Sequence, residues 1–430
     1  MLGILALMPV LTGLDILARE EFARLEGRSI GLLCNQASIS TDLRHIVDLL
    51  LEPHRQGRLK IQAVFGPEHG LWGHTQDNMI EWEGGPDPRT GLAIHSLYGK
   101  DREPTDAMLD GIDLFLVDIP DVGARYYTFI WSMALCMKAC RPKGIPVMVL
   151  DRPNPIGGVQ VEGPVMEQEL ASFVGLYPLP ARHGMTVGEV ARYLHDLCPS
   201  TPNPLSPPFI GAKESEGPSS HPPRCVTGES ILERGRLEVI TMQGWQREMY
   251  FEDSGLPWAV PSPNMPCVET AVVYPGQCLL EATTLSEGRG TTRPFEIFGA
   301  PGLDGWKLAE NLNKLGLPGV HFRPIQFEPT FNKHARILCE GAFIHVTNRQ
   351  SFRPVVASVA ILQEVQRLGG LEWNPGPYEY EVEKRPIDLL AGNTWLARAI
   401  ESLKPLARIG ERLWEESEAF APRRAAALTY

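Results

Sequence analysis

The run IDLFLVDIPDVGARYYT, residues 112–128, decides the fold. Its first seven residues are dominated by branched and aromatic side chains, and the run is too short for a helix of ordinary length. Such a run suits a strand covered on both faces, as in a parallel sheet. A polar loop shaped by Pro120 and Gly123 follows it. The same two-part unit recurs outward along the chain. SIGLLC (29–34) leads into Asn35-Gln36, KIQAVF (60–65) into Gly66-Pro67-Glu68-His69-Gly70, and IPVMVLD (145–151) into Arg152-Pro153-Asn154-Pro155. Helical stretches lie between. Asp42–Leu51 places Leu43, Ile46, Val47 and Leu50 on one face, and Phe129–Ala139 is apolar on most sides. This alternation predicts an α/β fold with an open, doubly wound, mostly parallel sheet and right-handed crossovers. Ligands bind such sheets outside the carboxyl ends of the strands, so the four loops predict an active site at that edge.

With 430 residues, the chain is too long for one small core, and two domains are expected. Structure resumes at Leu237–Met242 and continues through Cys278–Thr284, which reads as the strand before the Glu287 segment. After Gly299 the texture changes. Gly305–Leu315 and Pro354–Leu368 read as helices, and His321–Phe327 and Ala335–Thr347 as strands. The expected division is a catalytic domain over residues 10–297 and a smaller α+β auxiliary domain over 298–430. The boundary falls near 295–300. A Pro/Ser-rich stretch at about 198–228 predicts an exposed loop or insertion. The 38 prolines and 41 glycines suit a cleft built from loops of fixed shape.

A net charge of -12 argues against a nucleic-acid partner, whose electrostatic footprint should be basic. None of the eight cysteines forms a C-x-x-C pair, which removes the usual zinc-ribbon and redox signatures. Cys34, Cys136 and Cys278 lie in apolar runs and read as buried free thiols, which favours a reducing, cytoplasmic compartment. Met1–Val10 has no positive flank or small-residue cleavage site, and it is too short to span a membrane. A periplasmic or secreted location would follow if a leader had been removed. Gly31 begins no G-x-G-x-x-G, and Walker, G-x-S-x-G and H-E-x-x-H motifs are missing. No cofactor is therefore expected. His69, His74 and Asp77 form a partial set with no familiar ligand spacing, and no metal is expected.

The candidate residues sit in the loops. Glu68, between Pro67 and His69 at a strand end, could be desolvated enough to act as a general acid. As a plain loop carboxylate it would cap a helix or pair with an Arg. Glu287, Arg289, Arg293 and Glu296 lie in LSEGRGTTRPFE, where an Arg fork could clamp a carboxylate. An interdomain salt-bridge cluster would use the same residues. Asp121, Arg125 and Tyr126 follow the third strand, and one of Tyr126 and Tyr127 is expected to be core. Asn35, Asn154 and Glu162 could hydrogen-bond a polar ligand or hold turns. His183 is either a structural histidine or part of the site.

At these loops the sequence resembles a known family. LLCNQAS (32–38), FGPEHGLWG (65–73), DIPDVGARYYTFIW (118–131), VLDRPNPIGG (149–158), VEGP (161–164), GLYPLPARHGMT (175–186), PWAVPSPNMP (257–266) and LSEGRGTTRPFE (285–296) are similar to signature blocks of the NamZ-type exo-β-N-acetylmuramidases. The resemblance implies a Rossmann-like domain, an auxiliary domain and a cleft between them. It also implies glycoside hydrolysis that releases N-acetylmuramic acid from non-reducing ends of peptidoglycan fragments. The substrate would be a small muropeptide or saccharide. Glu68 takes the role of catalytic Glu, with His69 beside it. Glu287 is the expected second carboxylate, ahead of Asp121 and Glu162. The rival readings are a metal-dependent hydrolase on His69, His74 and Asp77, a non-catalytic muropeptide-binding protein, and a lytic or esterase activity.

Overall fold

The computed structural model describes residues 9–197 and 236–430, so the Pro/Ser-rich stretch with Cys198 and Cys225 lies outside the described residues, as do the first eight. The strands of the first part are β1 (Ser29–Cys34), β2 (Lys60–Gly66), β3 (Gly85–Pro86), β4 (Ala93–Ser96), β5 (Leu114–Asp118), β6 (Val147–Leu150), β7 (Glu162–Val165), β8 (Pro180–Arg182) and β9 (Leu237–Ile240). One seven-stranded sheet runs β3-β4-β2-β1-β5-β6-β9, and every neighbouring pair except the antiparallel edge pair β3–β4 is parallel. Taken in chain order, the six parallel strands lie 3-2-1-4-5-6, the Rossmann arrangement, with the reversal between β1 and β5.

Side-chain alternation explains the layers. Ile30, Leu32, Leu114, Leu116, Met148 and Leu150 bury one face of the sheet against α1 (Gly13–Arg19) and α2 (Ile46–Arg55). Leu33, Phe115, Val117, Val147 and Val149 bury the other against α3 (Phe129–Cys140) and α4 (Val187–Leu197). Each fully buried Leu or Ile here contributes about 1.5–3 kcal/mol. Leu43 departs from the expected helix face. Ser40 and Arg44 close a hydrogen-bonded turn, His45 caps the helix through the Val47 N–H, and Leu43 is left exposed at φ +64°. The local Ser and Asp side-chain bonds compete with a helix start here.

The second part begins with α5 (Val268–Gln277). Cys278–Ala282 continues it as a 3₁₀ turn and not as the expected strand, because a short buried apolar run does not by itself distinguish the two. Strands β10 (Ile297–Ala300), β11 (Val320–Phe327) and β12 (Cys339–Val346) form an antiparallel sheet in the order β10-β12-β11. Helix α6 (Gly305–Lys314) packs on β11 and β12, α7 (Pro354–Arg367) packs against α5 and α6, α8 (Pro386–Ala391) and α9 (Trp395–Glu401) pack on each other, and α10 (Leu406–Ala425) packs against β7 and α7. One apolar cluster runs without a break from the α3 face of the large sheet through α5 into α7 and α8, so the two parts share a core. The C-terminus returns to the large sheet. The Tyr430 hydroxyl donates to Asp151 Oδ2 at 2.6 Å and accepts from the Met242 N–H at 2.7 Å. Among the described residues no helix is long and apolar enough to cross a membrane.

Candidate active site

The loop after β2 is braced from behind, where the Trp82 indole N–H donates to the Pro67 carbonyl at 3.0 Å. Glu68 is thereby held with only 7% of its surface exposed. Its carboxylate accepts from the Thr128 hydroxyl at 2.7 Å and from the Met79 N–H at 3.3 Å. His69 Nδ1 lies 2.8 Å from the Thr75 carbonyl, which can only accept, so Nδ1 carries the proton. Burial holds His69 below its ordinary pKa, leaving the ring neutral with Nε2 as its lone-pair nitrogen.

Glu68 and His69 line a common cavity. Tyr126, Tyr127 and Thr128 wall it from the loop after β5, and Ser262 and Asn264 from the segment before α5. The second part contributes Glu281, Arg289, Phe295, Tyr378 and Glu379. Glu281 is saturated. It accepts from Arg289 at 2.7 Å, from the Tyr378 hydroxyl at 2.6 Å and from Asn78 at 3.3 Å. Glu379 accepts from the Tyr98 hydroxyl at 3.0 Å, and among the described residues no Lys or Arg forms an ion pair with it. Burial, and then the charge of Glu68, push its carboxyl well above the usual range. His69, Phe295 and Glu379 all have left-handed backbones, at φ +68°, +63° and +48°. Such strain costs of order 1–3 kcal/mol per residue and tends to gather at functional sites.

The other expected residues divide. Both Tyr126 and Tyr127 line the cavity, since they precede α3 instead of lying on it. Arg289 lines it too, but is paired with Glu281 and, at 3.2 Å, with Glu287. Glu287 does not line it. Burial alone would raise this carboxyl, but Lys333 at 2.9 Å and Arg289 outweigh it and hold Glu287 below its ordinary value. Arg293 is half exposed and paired with Glu296, which also accepts from Thr270. Arg125 is fully buried and donates to the carbonyls of Val174, Leu389 and Leu390. Asn35 and Asn154 tie loops together through the Pro261 and Met185 carbonyls. Glu162 accepts from the Val356 N–H at the start of α7. His183 Nε2 lies 3.1 Å from Asp121.

Asp121 borders a different cleft at the β1/β5 reversal, lined also by Ser40, Arg152 and Trp258. Its cation, Arg152, is engaged by Asp118 at 2.5 and 2.8 Å. Among the described residues no group of three His, Cys, Asp or Glu is arranged to hold a metal, and Asp77 bonds Asn332 instead. Cys34, Cys136 and Cys278 are buried free thiols, pushed well above the ordinary thiol value by burial. Reading the sequence missed Thr128, Asn264, Glu281 and Glu379. Thr128 and Asn264 stand in blocks already quoted, and Glu281 is an acid inside an apolar run, a signal in itself. Glu379 carries no comparable local signal.

Two family models cover the chain. The one described as exo-beta-N-acetylmuramidase NamZ, N-terminal, matches residues 30–269, and its C-terminal counterpart matches 272–430. The peptidoglycan beta-N-acetylmuramidase NamZ of Bacillus subtilis (strain 168) is 41% identical over 395 residues, covering 91% of this chain and 84% of that protein. Two crystal structures of DUF1343 family proteins from Bacteroides fragilis NCTC 9343 are similar. One has a TM-score of 0.81 and 29% identity, covering 99% of this chain and 100% of that one. The other has a TM-score of 0.69 and 26% identity, covering 98% and 99%.

Proposed function

The chain belongs to the exo-β-N-acetylmuramidase NamZ family, and from that premise we propose that it hydrolyses the β-1,4 bond joining N-acetylmuramic acid to N-acetylglucosamine, at non-reducing ends of peptidoglycan fragments. Glu68 is the acid–base carboxyl at the centre of this reading. The observation that carries it is the cavity itself. The loop after β2 presents a buried carboxyl to a space closed by aromatic and carboxylic side chains from both parts of the chain. Tyr126, Tyr127 and Phe295 supply aromatic lining, and Asn78, Ser262 and Asn264 supply polar lining. Glycoside hydrolysis needs a proton for the leaving oxygen and an anionic partner for the oxocarbenium-like centre, and paired carboxyls supply both.

The cysteines described are free thiols, which supports a reducing compartment. The test is a digest of N-acetylmuramyl-β-1,4-N-acetylglucosamine alongside a longer glycan strand, with products followed by mass spectrometry. Free N-acetylmuramic acid released from the disaccharide, and only from the non-reducing end of the strand, is the expected result. Internal cleavage, or no cleavage by folded protein, would contradict the reading.

A further inference from the structure

We propose that Glu379 is the second reacting carboxyl, donating the proton that the leaving oxygen takes, while Glu68 is the ionised partner that accepts a proton from the incoming water. This rests on the muramidase reading above. Three carboxyls line the cavity, and their surroundings separate them. Glu281 is already engaged by Arg289, Tyr378 and Asn78. Glu68 accepts from two donors, Thr128 and the Met79 N–H. Glu379 faces Glu68, Glu281, the Tyr98 hydroxyl and Arg102. The Arg102 guanidinium carbon lies over the Tyr98 ring, 3.9 Å from its centroid, and the group donates to the Gly99 carbonyl, with Glu81 at 3.5 Å, so it is committed elsewhere. With two carboxyls facing it and, among the described residues, no ion-paired cation, a proton is the counter-charge Glu379 can hold. Two like carboxyls in one site cannot both ionise readily, and the pair retains one proton. The backbone supports the assignment. Glu379 is held at φ +48°, its N–H against Met79 Sδ, and Met79 is the residue whose own N–H holds Glu68.

The step balances as follows. The Glu379 carboxyl proton passes to the bridging oxygen as the bond from that oxygen to C1 of N-acetylmuramic acid breaks. The oxygen of one water bonds to C1, and that water's proton passes to Glu68. Transfer of the proton from Glu68 back to Glu379 resets the pair.

The experiment compares two substrates, the disaccharide and 4-nitrophenyl β-N-acetylmuraminide, whose leaving group departs without a proton. Glu379→Gln is expected to lower kcat on the disaccharide by about 10²–10⁴-fold and on the aryl substrate by less than about tenfold. Glu68→Gln is expected to fall steeply on both. Equal losses for Glu379→Gln on the two substrates, or disaccharide turnover within about fivefold of wild type, would overturn the assignment. Should Glu379→Gln fail to fold by thermal melt, Tyr98→Phe tests the same point. It removes a donor that favours ionised Glu379, so the alkaline limb of the kcat–pH profile should move up by about one unit. An unmoved limb contradicts the proposal. Wild type that cleaves neither substrate would sink the muramidase reading itself, a result distinct from equal losses in the variant.

Discussion

Glu287 and Glu379 are both buried, yet one stands between two cations and the other among anions. Chemistry at the level of residue type does not separate them. Glu287 even stands in the more suggestive sequence, with glycines and arginines close by. The difference lies in what the fold brings to each. Lys333 reaches Glu287 from 46 residues away and also donates to the carbonyls of Leu280, Glu281 and Leu285. That carboxylate is a strut behind the cavity wall. Glu379 faces the cavity, and so does Glu68. Burial with matched cations makes a structural ion pair, whereas burial without them makes a group whose proton can be used.

Four substitutions sharpen or break this contrast. The largest effect is expected for Glu68→Gln, which should lower kcat on the disaccharide by about 10²–10⁴-fold with little change in melting temperature. Steady-state kinetics beside a thermal melt checks both halves. Next is Lys333→Met, which leaves Glu287 buried with Arg289 as its remaining cation. A loss of about 2–3 kcal/mol is expected by denaturant titration, discounted because Lys333 is partly exposed. An unchanged midpoint would mean that the cluster is not a strut.

The third concerns a carboxyl away from the cavity. Burial pushes Glu162 up to about 7, although the Val356 N–H and nearby arginines favour its charge. A raised carboxyl contributes stability that is present below its ordinary pKa and is lost as pH rises through about 7. Glu162→Gln should therefore be more stable than wild type at pH 8, by about 2–3 kcal/mol, and nearly equal to it at pH 4–5. Melts at the two pH values read this directly, and a variant equally or less stable at pH 8 would contradict it. The smallest effect belongs to Arg293→Ala. Its half-exposed pair with Glu296 should be worth under about 1 kcal/mol, and KM for the disaccharide should stay within about threefold. A larger rise in KM would place Arg293 in contact with substrate.

The parts of this molecule legible in its sequence are those fixed by local pattern. Ser29–Cys34 is a strand because both of its faces are covered, and a run of apolar residues with no alternation says so. Glu68 could be picked out because its loop follows such a strand, and the loops of a parallel sheet converge on one edge. Leu43 was misplaced because hydrophobic periodicity ignored the turn that Ser40 closes. Glu379 had no such marker. It reaches the cavity from the stretch between α7 and α8, and only the shared core that docks the second part against the sheet brings it near Glu68. The Lys333 cation that pairs with Glu287 is likewise distant in the chain.

The most direct test of the central claim, that Glu68 performs chemistry in this cavity, is mass spectrometry of the disaccharide digest with wild type and a folded Glu68→Gln variant side by side. The account predicts free N-acetylmuramic acid and N-acetylglucosamine from wild type and intact disaccharide from the variant. Equal product from both would contradict it.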